Sequence, residues 1–230
     1  MFGSLQLNLH ENPEDLDEDS LDRLVEVAQS AFNKEGQPTY DDVVEHIVPA
    51  STFVTAEVDD EIIGFSSTDR LADTTYAVGL AVESDFQGNG IGKLARTFGV
   101  LQEMDEEDVV STRTQNPAVL SYMQDLFNAY PRQGEETPRD VEASLQDVSK
   151  ALDPDAEFTD GVMRCAYPEA MYDEVPDHEL KEFTDEVLDY ENGDALIVAG
   201  EASRGEVEEA YRDLVSDRDY EVTVSGGGLI

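Results

Sequence analysis

The spacing of apolar residues along the first part of the chain switches repeatedly between the period of a strand and that of a helix. Polar and apolar residues alternate from Ser4 to His10, and apolar side chains recur at helical spacing from Leu21 to Phe32. The adjacent Asp59 and Asp60, between two β-branched stretches, predict a hairpin turn. The predicted order is strand 4–10, helix 21–32, helix 40–47, strands 52–58, 61–68 and 74–82, helix 91–101, strand 108–113 and helix 117–127.

Residues 131–230 follow a different order of elements. Residues 131–138, PRQGEETP, have the composition of a loop. Beyond them the pattern predicts helices over 141–152, 178–188 and 205–214, and strands over 161–165, 195–199 and 221–224. Ser203 is a candidate N-cap for the last of these helices, and we expect the glycines at 226–228 to belong to a frayed end.

Length and apolar content predict a folded protein with a sizeable core. The chain has 230 residues, of which 40% are hydrophobic and 8% aromatic. No apolar run approaches the length of a membrane-spanning helix, and no basic stretch followed by an apolar one opens the sequence. We therefore expect a cytoplasmic protein without a membrane partner. Cys165 is the only cysteine, so we expect a small packed residue.

The charge balance is extreme, with 54 acidic residues against 14 basic ones and a formal net charge of -40. Acidic residues are spread over the whole chain, as in cytoplasmic proteins of salt-accumulating microbes, where molar cations screen the repulsion. The alternative is a mesophilic protein with acidic partners. Nucleic acid is excluded as a partner in both cases, because phosphate contacts require basic stripes.

A glycine-rich loop, Gln87 to Gly92 (QGNGIG), lies between a predicted strand and an amphipathic helix. The first turn of a helix carries free N–H donors and a partial positive charge, so such a loop can bind phosphate without a basic patch. Lys93 and Arg96 follow directly. A Walker loop has four residues between its first glycine and the Gly-Lys pair, and Ser or Thr follows the lysine. Here only three residues separate Gly88 from Gly92, and Leu94 follows Lys93, so the spacing does not fit. A dinucleotide fingerprint beginning at Gly90 and an ordinary tight turn remain as alternatives.

The loop also resembles a known family motif. Gln87-x-x-Gly90-x-Gly92 is similar to the Q/R-x-x-G-x-G/A pyrophosphate motif of the GNAT superfamily of N-acetyltransferases. The predicted element order over residues 1–130 is also similar to that family's fold. The resemblance implies an α/β protein with a mixed sheet and a GNAT acyl-CoA N-acyltransferase domain over 1–130. Residues 131–230 would then form an α/β extension of unknown role.

The resemblance implies that the chain binds acetyl-CoA as co-substrate through the end of the fourth strand, the loop and a second segment downstream. Asn116 in that second segment would bind the pantetheine arm, and it is also a candidate cap for the following helix. The strand residues would hold the acyl and pantetheine arms, and the loop residues would wrap the pyrophosphate: Leu80, Ala81 and Val82, then Gln87, Gly88, Asn89, Gly90, Ile91, Gly92 and Lys93.

The resemblance implies a tyrosine that protonates the departing thiolate, and Tyr122 is the candidate general acid. Family members usually place it seven residues after the asparagine, where this chain has Met123, so Tyr122 is displaced by about 100° around a helix. The fourth strand has no acid to act as base; Asp73 and Glu83 only flank it. No Cys/His cluster indicates a metal site.

Two functions remain open from the sequence. The first is transfer of an acetyl group to an amine of a small molecule or peptide, by direct attack in a ternary complex. The second is a CoA-binding or assembly module without catalysis. Residues 131–230 are candidates for completing the sheet, for lining the acceptor pocket or for forming a homodimer. Tyr167 and Tyr172 are candidates for a place near the acceptor, with packing within a loop as the alternative.

Overall fold

The computed structural model describes residues 2–10, 16–33, 38–45 and 47–226. The strands are β1 Ser4–His10, β2 Thr52–Val58, β3 Glu61–Leu71, β4 Thr74–Val82, β5 Glu107–Thr114, β6 Phe158–Thr159, β7 Val162–Met163, β8 Ala195–Ser203 and β9 Glu221–Ser225. The helices are α1 Glu18–Phe32, α2 Tyr40–Val44, α3 Ile91–Glu103, α4 Pro117–Phe127, α5 Arg139–Leu152, α6 Lys181–Val187 and α7 Arg204–Ser216. The α/β fold class predicted from the sequence is confirmed.

The chain forms two compact units, and the first comprises residues 1–69, 77–104 and 205–230. Its strands follow the order β9, β1, β2, β3, β4. Strand β1 is antiparallel to β2 and parallel to β9, so the sheet is mixed as predicted. The last strand of the chain thus lies beside the first, although more than 200 residues separate Ser4 from its partner Glu221.

Local sequence signals fix the turns and helix starts of this unit. Asp59 and Asp60 both adopt the left-handed conformation, which suits the tight hairpin between β2 and β3 and confirms the predicted turn. Asp17 caps α1 by accepting a hydrogen bond from the Ser20 N–H at 2.8 Å. Helix α2 begins with a capping box at Thr39 and ends at Val44, three residues before the predicted end.

The core of the first unit lies between the sheet and helices α1 and α2. Phe53 and Phe65 stack on neighbouring strands with ring centroids 5.8 Å apart. The cluster consists of Leu24, Val27, Ala28, Val43, Val48, Phe53, Phe65 and Ala81. Because Ala81 of β4 belongs to this cluster, the strand that leads into the glycine loop is anchored in the core.

The second unit comprises residues 70–76 and 105–204, with the strand order β6, β7, β8, β5. Strands β5 and β8 pair antiparallel from Glu107↔Ser203 to Thr114↔Leu196. A strand is present within the predicted range 161–165, but it is shorter, since β7 covers only Val162–Met163. Asp160 and Gly161 both have positive φ and form a tight turn that joins β7 to β6, a strand that the sequence did not predict.

The remaining predictions for the C-terminal part differ from the structure mainly in element length. Helix α6 covers Lys181–Val187 instead of 178–188, and β8 extends to Ser203, which directly precedes α7. Gly226 is described, whereas the rest of the predicted frayed end lies outside the described residues, as does His46. The division into a domain over 1–130 and an extension over 131–230 stays a prediction.

Candidate functional site

Strand β4 leads through one short 3-10 turn, Ser84–Phe86, into the glycine loop and helix α3. Gly90 is the N-cap residue of α3, with φ of 77°, and it supplies no side-chain cap. Gln87, Gly88 and Asn89 are exposed, as is Lys93 at the start of the helix. Because Gly90 has no side chain, the first turn of α3 has no capping oxygen from its N-cap residue.

The backbone of the loop presents a row of free donors. Among the described residues, no acceptor is bonded to the backbone N–H groups of positions 88–93, and the first helical bond is from the Leu94 N–H to the Gly90 carbonyl at 3.1 Å. Positions 88–90 belong to the loop and positions 91–93 to the first turn of α3. Unbonded N–H groups of this kind are able to bind an anion such as a phosphate. The helix N-terminus contributes a partial positive charge in an otherwise acidic chain.

Polar side chains hold the loop from within. The Gln87 amide donates to the Val82 carbonyl at 2.9 Å and to the Ala31 carbonyl at 3.2 Å. The Asn89 amide donates to the Phe86 carbonyl at 3.1 Å. These side chains bond to carbonyl groups, so they shape the loop without consuming its N–H donors.

The end of β4 lies beside this loop, as predicted. Ala81 is buried in the core, while Leu80 and Val82 are half-buried. A Cβ placed on Gly92 would lie 3.4 Å from a Leu80 methyl group and 3.5 Å from a Val82 methyl group. The structure therefore brings Leu80, Ala81 and Val82 together with the loop and helix start inside one unit.

Glu83, one of the two acids that flank β4, is held in an ion pair. Its carboxylate lies 2.7 Å from the Arg23 guanidinium. Arg23 also donates to the Ile62 carbonyl at 2.9 Å and lies 3.4 Å from the Glu61 carboxylate. Desolvation acts to lower the pKa of Arg23. The bonds to carboxylates, led by the one to Glu83, raise this pKa overall. Glu83 thus ties β4 to α1 and β3.

Two residues at the loop were not predicted as site residues. The Tyr220 hydroxyl donates to the Asn89 carbonyl at 2.8 Å, and the Arg218 guanidinium donates to the same oxygen at 3.3 Å. Both precede β9 and reach the loop because β9 pairs with β1. The periodicity of apolar residues cannot reveal a contact between residues about 130 positions apart. The signal in the sequence was Arg218 itself, a basic residue in an acidic chain.

Asn116 lies in the second unit, where it caps α4. Its side-chain oxygen accepts from the Ala118 N–H at 2.9 Å, so the proposed capping role is observed. Its amide nitrogen donates to the Tyr172 hydroxyl at 3.0 Å. Burial raises the pKa of Tyr172, although the bond from Asn116 acts in the opposite direction. The role of Asn116 in binding pantetheine stays a prediction.

Tyr122 also lies in the second unit, on α4. It is 3% exposed, and its ring meets Phe127 edge-on with centroids 5.7 Å apart. Met123, which occupies the family's usual position for the acid, is fully buried. Both side chains contribute to the core around α4, and the role of Tyr122 as general acid stays a prediction.

A polar network lies beside Asn116 and centres on the buried Asp194. Its carboxylate pairs with Arg164 and accepts from the N–H groups of Cys165 and Asp189, each at 3.2 Å. Gln115 donates to the Asp194 carbonyl at 2.7 Å. Desolvation acts to raise the pKa of Asp194, but these bonds, led by the one from Arg164, hold it below its usual 3.8.

Two further findings concern the described residues as a whole. Within them, no group of three or more His, Cys, Asp or Glu side chains is placed to hold a metal ion. None of the helices in the same residues has the length and apolar character needed to cross a membrane.

Comparison with known families gives one match, in the first part of the chain. The model of the acetyltransferase (GNAT) family matches residues 21–116, which include the glycine loop and Asn116. The similarity to this family extends over less than half of the chain. A search of curated proteins found no match to this chain.

Several solved structures are similar to part of the chain. ElaA from Escherichia coli is 11% identical, covering 56% of this chain and 94% of that chain, with a TM-score of 0.43. The ribosomal-protein-S18-alanine N-acetyltransferase from Escherichia coli is 14% identical, covering 58% and 86%, with a TM-score of 0.40. The PaiA N-acetyltransferase from Thermoplasma acidophilum, in complex with coenzyme A, is 16% identical, covering 56% and 93%, with a TM-score of 0.37.

Proposed function

We propose that this protein is a cytoplasmic N-acetyltransferase that transfers an acetyl group from acetyl-CoA to an amine. The observation that carries the proposal is the row of free N–H groups over positions 88–93, at the start of α3. A diphosphate needs several convergent donors, and backbone groups provide them without adding basic side chains. The position of this row within the family match, residues 21–116, agrees with the role.

In the proposed complex, the glycine loop and the helix start wrap the pyrophosphate of acetyl-CoA. The residues are Gln87, Gly88, Asn89, Gly90, Ile91, Gly92 and Lys93. The anchoring of β4 in the core supports Leu80, Ala81 and Val82 as the residues that hold the acyl and pantetheine arms. Asn116 would bind the pantetheine side. Its side-chain oxygen accepts the capping bond from Ala118, and its amide nitrogen donates to the Tyr172 hydroxyl.

The reaction joins the acceptor nitrogen to the acetyl carbon. A neutral amine attacks the thioester carbonyl, the carbon–sulfur bond breaks, the nitrogen loses a proton and the thiolate gains one. Positioning both reactants in one complex supplies much of the rate, and a β4 backbone N–H can stabilise the developing oxyanion. Tyr122 is the proposed proton donor to the thiolate.

The acceptor is proposed as an amine of a small molecule or a peptide. A net charge of -40 attracts a cationic amine at low salt and repels nucleic acid. Molar salt removes most of this steering, because the Debye length falls to about 3 Å. The even spread of acidic residues supports an origin in a salt-accumulating microbe, and a homodimer through residues 131–230 is part of the same proposal.

Calorimetry tests the proposal first. The folded protein in about 2 M KCl is titrated with acetyl-CoA and, as a control, with S-acetylpantetheine, which lacks the phosphates. We expect tighter binding of acetyl-CoA, because only it can occupy the N–H row. Thiol release is then measured with a panel of small and peptide amines, and turnover with at least one is expected. A folded protein that does not bind acetyl-CoA would contradict the proposal.

A second function is favoured by one observation. Tyr122 is 3% exposed and packs against Phe127, as expected of a core residue. A CoA-binding module without catalysis would retain the loop and have no need of an accessible acid. In the experiment above, this function predicts binding of acetyl-CoA without thiol release on any amine.

A further inference from the structure

The segment that connects α7 to β9, residues 217–220, lies against the glycine loop, and we call it the C-terminal arm. Two donors from the arm converge on one acceptor, the Asn89 carbonyl. The Tyr220 hydroxyl lies 2.8 Å from it and an Arg218 nitrogen 3.3 Å from it. The arm is held in place because β9 pairs with β1 from Ser4↔Glu221 onwards.

The Arg218 side chain is oriented from both ends. Its Nε donates to the Leu214 carbonyl at 3.0 Å, near the C-terminus of α7, where carbonyl groups lack helical partners. Its guanidinium covers Gly90 so closely that a Cβ at Gly90 would overlap it. Within the described part of the chain, no carboxylate lies within ion-pair distance of Arg218, although acidic residues outnumber basic ones 54 to 14.

An aromatic contact supports the arm on its other side. The Phe2 ring lies 4.5 Å from the Tyr220 ring and 5.9 Å from the Phe86 ring, measured between centroids. Phe86 is the last residue of the 3-10 turn that leads into the loop. Tyr220 is therefore fixed relative to the loop by its ring as well as by its hydroxyl.

The geometry of the peptide unit links these contacts to the direction of one N–H donor in the loop. The Asn89 carbonyl and the Gly90 N–H belong to one planar trans peptide, so they point in opposite directions. When Tyr220 and Arg218 hold the carbonyl towards the arm, the Gly90 N–H is directed away from the arm. Rotation of this peptide would remove one donor from the middle of the row at 88–93.

We propose that Tyr220 and Arg218 are positioning residues, which hold the Asn89–Gly90 peptide in the orientation that binds the phosphates of acetyl-CoA. This inference rests on the proposed function of the loop. It gives the C-terminal residues a direct part in cofactor binding, because a loop ordered in advance loses less entropy when the ligand binds. The positive charge of Arg218 also offsets the repulsion between an acidic protein and an anionic ligand.

Tyr220→Phe tests the inference, since it removes the hydroxyl and keeps the ring on Phe2. The matched control is Tyr211→Phe on α7, because the Tyr211 hydroxyl has no hydrogen-bond partner among the described residues. In the ligand-free protein we expect the backbone order parameters of residues 87–93, measured by 15N relaxation, to fall in Tyr220→Phe, because the Asn89–Gly90 peptide loses one of its two holds. Tyr211→Phe should leave these order parameters unchanged.

The second measurement uses two acetyl donors in the enzyme assay. For Tyr220→Phe, the KM for acetyl-CoA should rise about 2- to 10-fold with kcat unchanged, as the loss of one hydrogen bond implies. The KM for S-acetylpantetheine should stay the same, because that donor has no phosphate for the loop to bind. A variant that raises both KM values equally would overturn the inference, since the effect would then be structural.

The outcomes separate this inference from the proposed function. If the order parameters of the loop are the same in Tyr220→Phe and in Tyr211→Phe, the positioning role is overturned, whether or not the protein binds acetyl-CoA. A wild-type protein that fails to bind acetyl-CoA refutes the proposed function. Lower order parameters in Tyr220→Phe would even then support the contact by which the arm orders the loop.

Discussion

Gly88 and Gly90 have the same backbone conformation and different surroundings. Their φ angles are 79° and 77°, a region that L-residues adopt at a cost of about 1–2 kcal/mol. A Cβ at Gly88 would meet no atom within 4 Å, whereas one at Gly90 would overlap the Arg218 guanidinium. The two glycines therefore allow backbone strain to be separated from the contact with the arm.

Gly90→Ala should destabilise the protein by about 1 kcal/mol more than Gly88→Ala, because it also displaces Arg218 from the Asn89 carbonyl. Urea unfolding of the two variants measures the difference. In an Arg218→Ala background the guanidinium is absent, and the two substitutions should cost the same. A difference that persists in that background would show that the arm is not its cause.

At the scale of elements, Asp194 connects several segments of the second unit. Its side chain is fully buried and joins the start of β8 to residues 164–165 and to the end of α6, through Arg164, Cys165 and Asp189. Its backbone carbonyl accepts from Gln115, which precedes the α4 cap. The carboxylate of Asp194 thus links the start of β8 to residues 164–165, just before Tyr167.

Asp194→Asn should reduce the free energy of unfolding by about 3 kcal/mol at pH 7, because it leaves Arg164 without its charge partner and places an amide against N–H donors. Asp189→Asn is a control with the same change in net charge. Asp189 is exposed, and its carboxylate accepts one bond, from the Asn192 N–H at 3.2 Å, so we expect a change within about 0.5 kcal/mol. Denaturant unfolding compares them; equal effects would mean that net charge alone matters.

At the scale of the whole molecule, the excess of acidic residues dominates. The 14 basic residues can neutralise at most 14 of the 54 negative charges, whichever carboxylates they pair with. The remaining 40 charges repel one another in the compact state. Stability is therefore expected to depend on screening by solvent ions more than on ion pairs.

The urea midpoint should rise with KCl between about 0.1 M and 2 M, with most of the gain by about 1 M, where the Debye length has already fallen from about 10 Å to 3 Å. Sucrose at matched water activity is the control, since it stabilises by exclusion without screening charge. A midpoint that stays constant or falls in KCl would contradict an adaptation to salt.

Sequence alone predicted the order of elements up to α4, because apolar spacing records which face of each local segment is buried. The same reasoning found the glycine loop, the Asp59–Asp60 hairpin and the cap of α4 at Asn116, since each depends on a few adjacent residues. It missed β6 and made the next strand too long, because the turn at Asp160 and Gly161 comes between two very short strands. It was wrong about Cys165, which is exposed and not packed.

Only the tertiary structure decided what lies against the loop. Strand β9 reads as an ordinary short strand, and nothing in its sequence specifies that it pairs parallel to β1. That pairing brings Arg218 and Tyr220 to the carbonyl of Asn89, across a separation of about 130 residues. Local periodicity specifies the face that a segment buries. Which distant segment covers that face is set by the packing of the whole chain, where each contact depends on all the others.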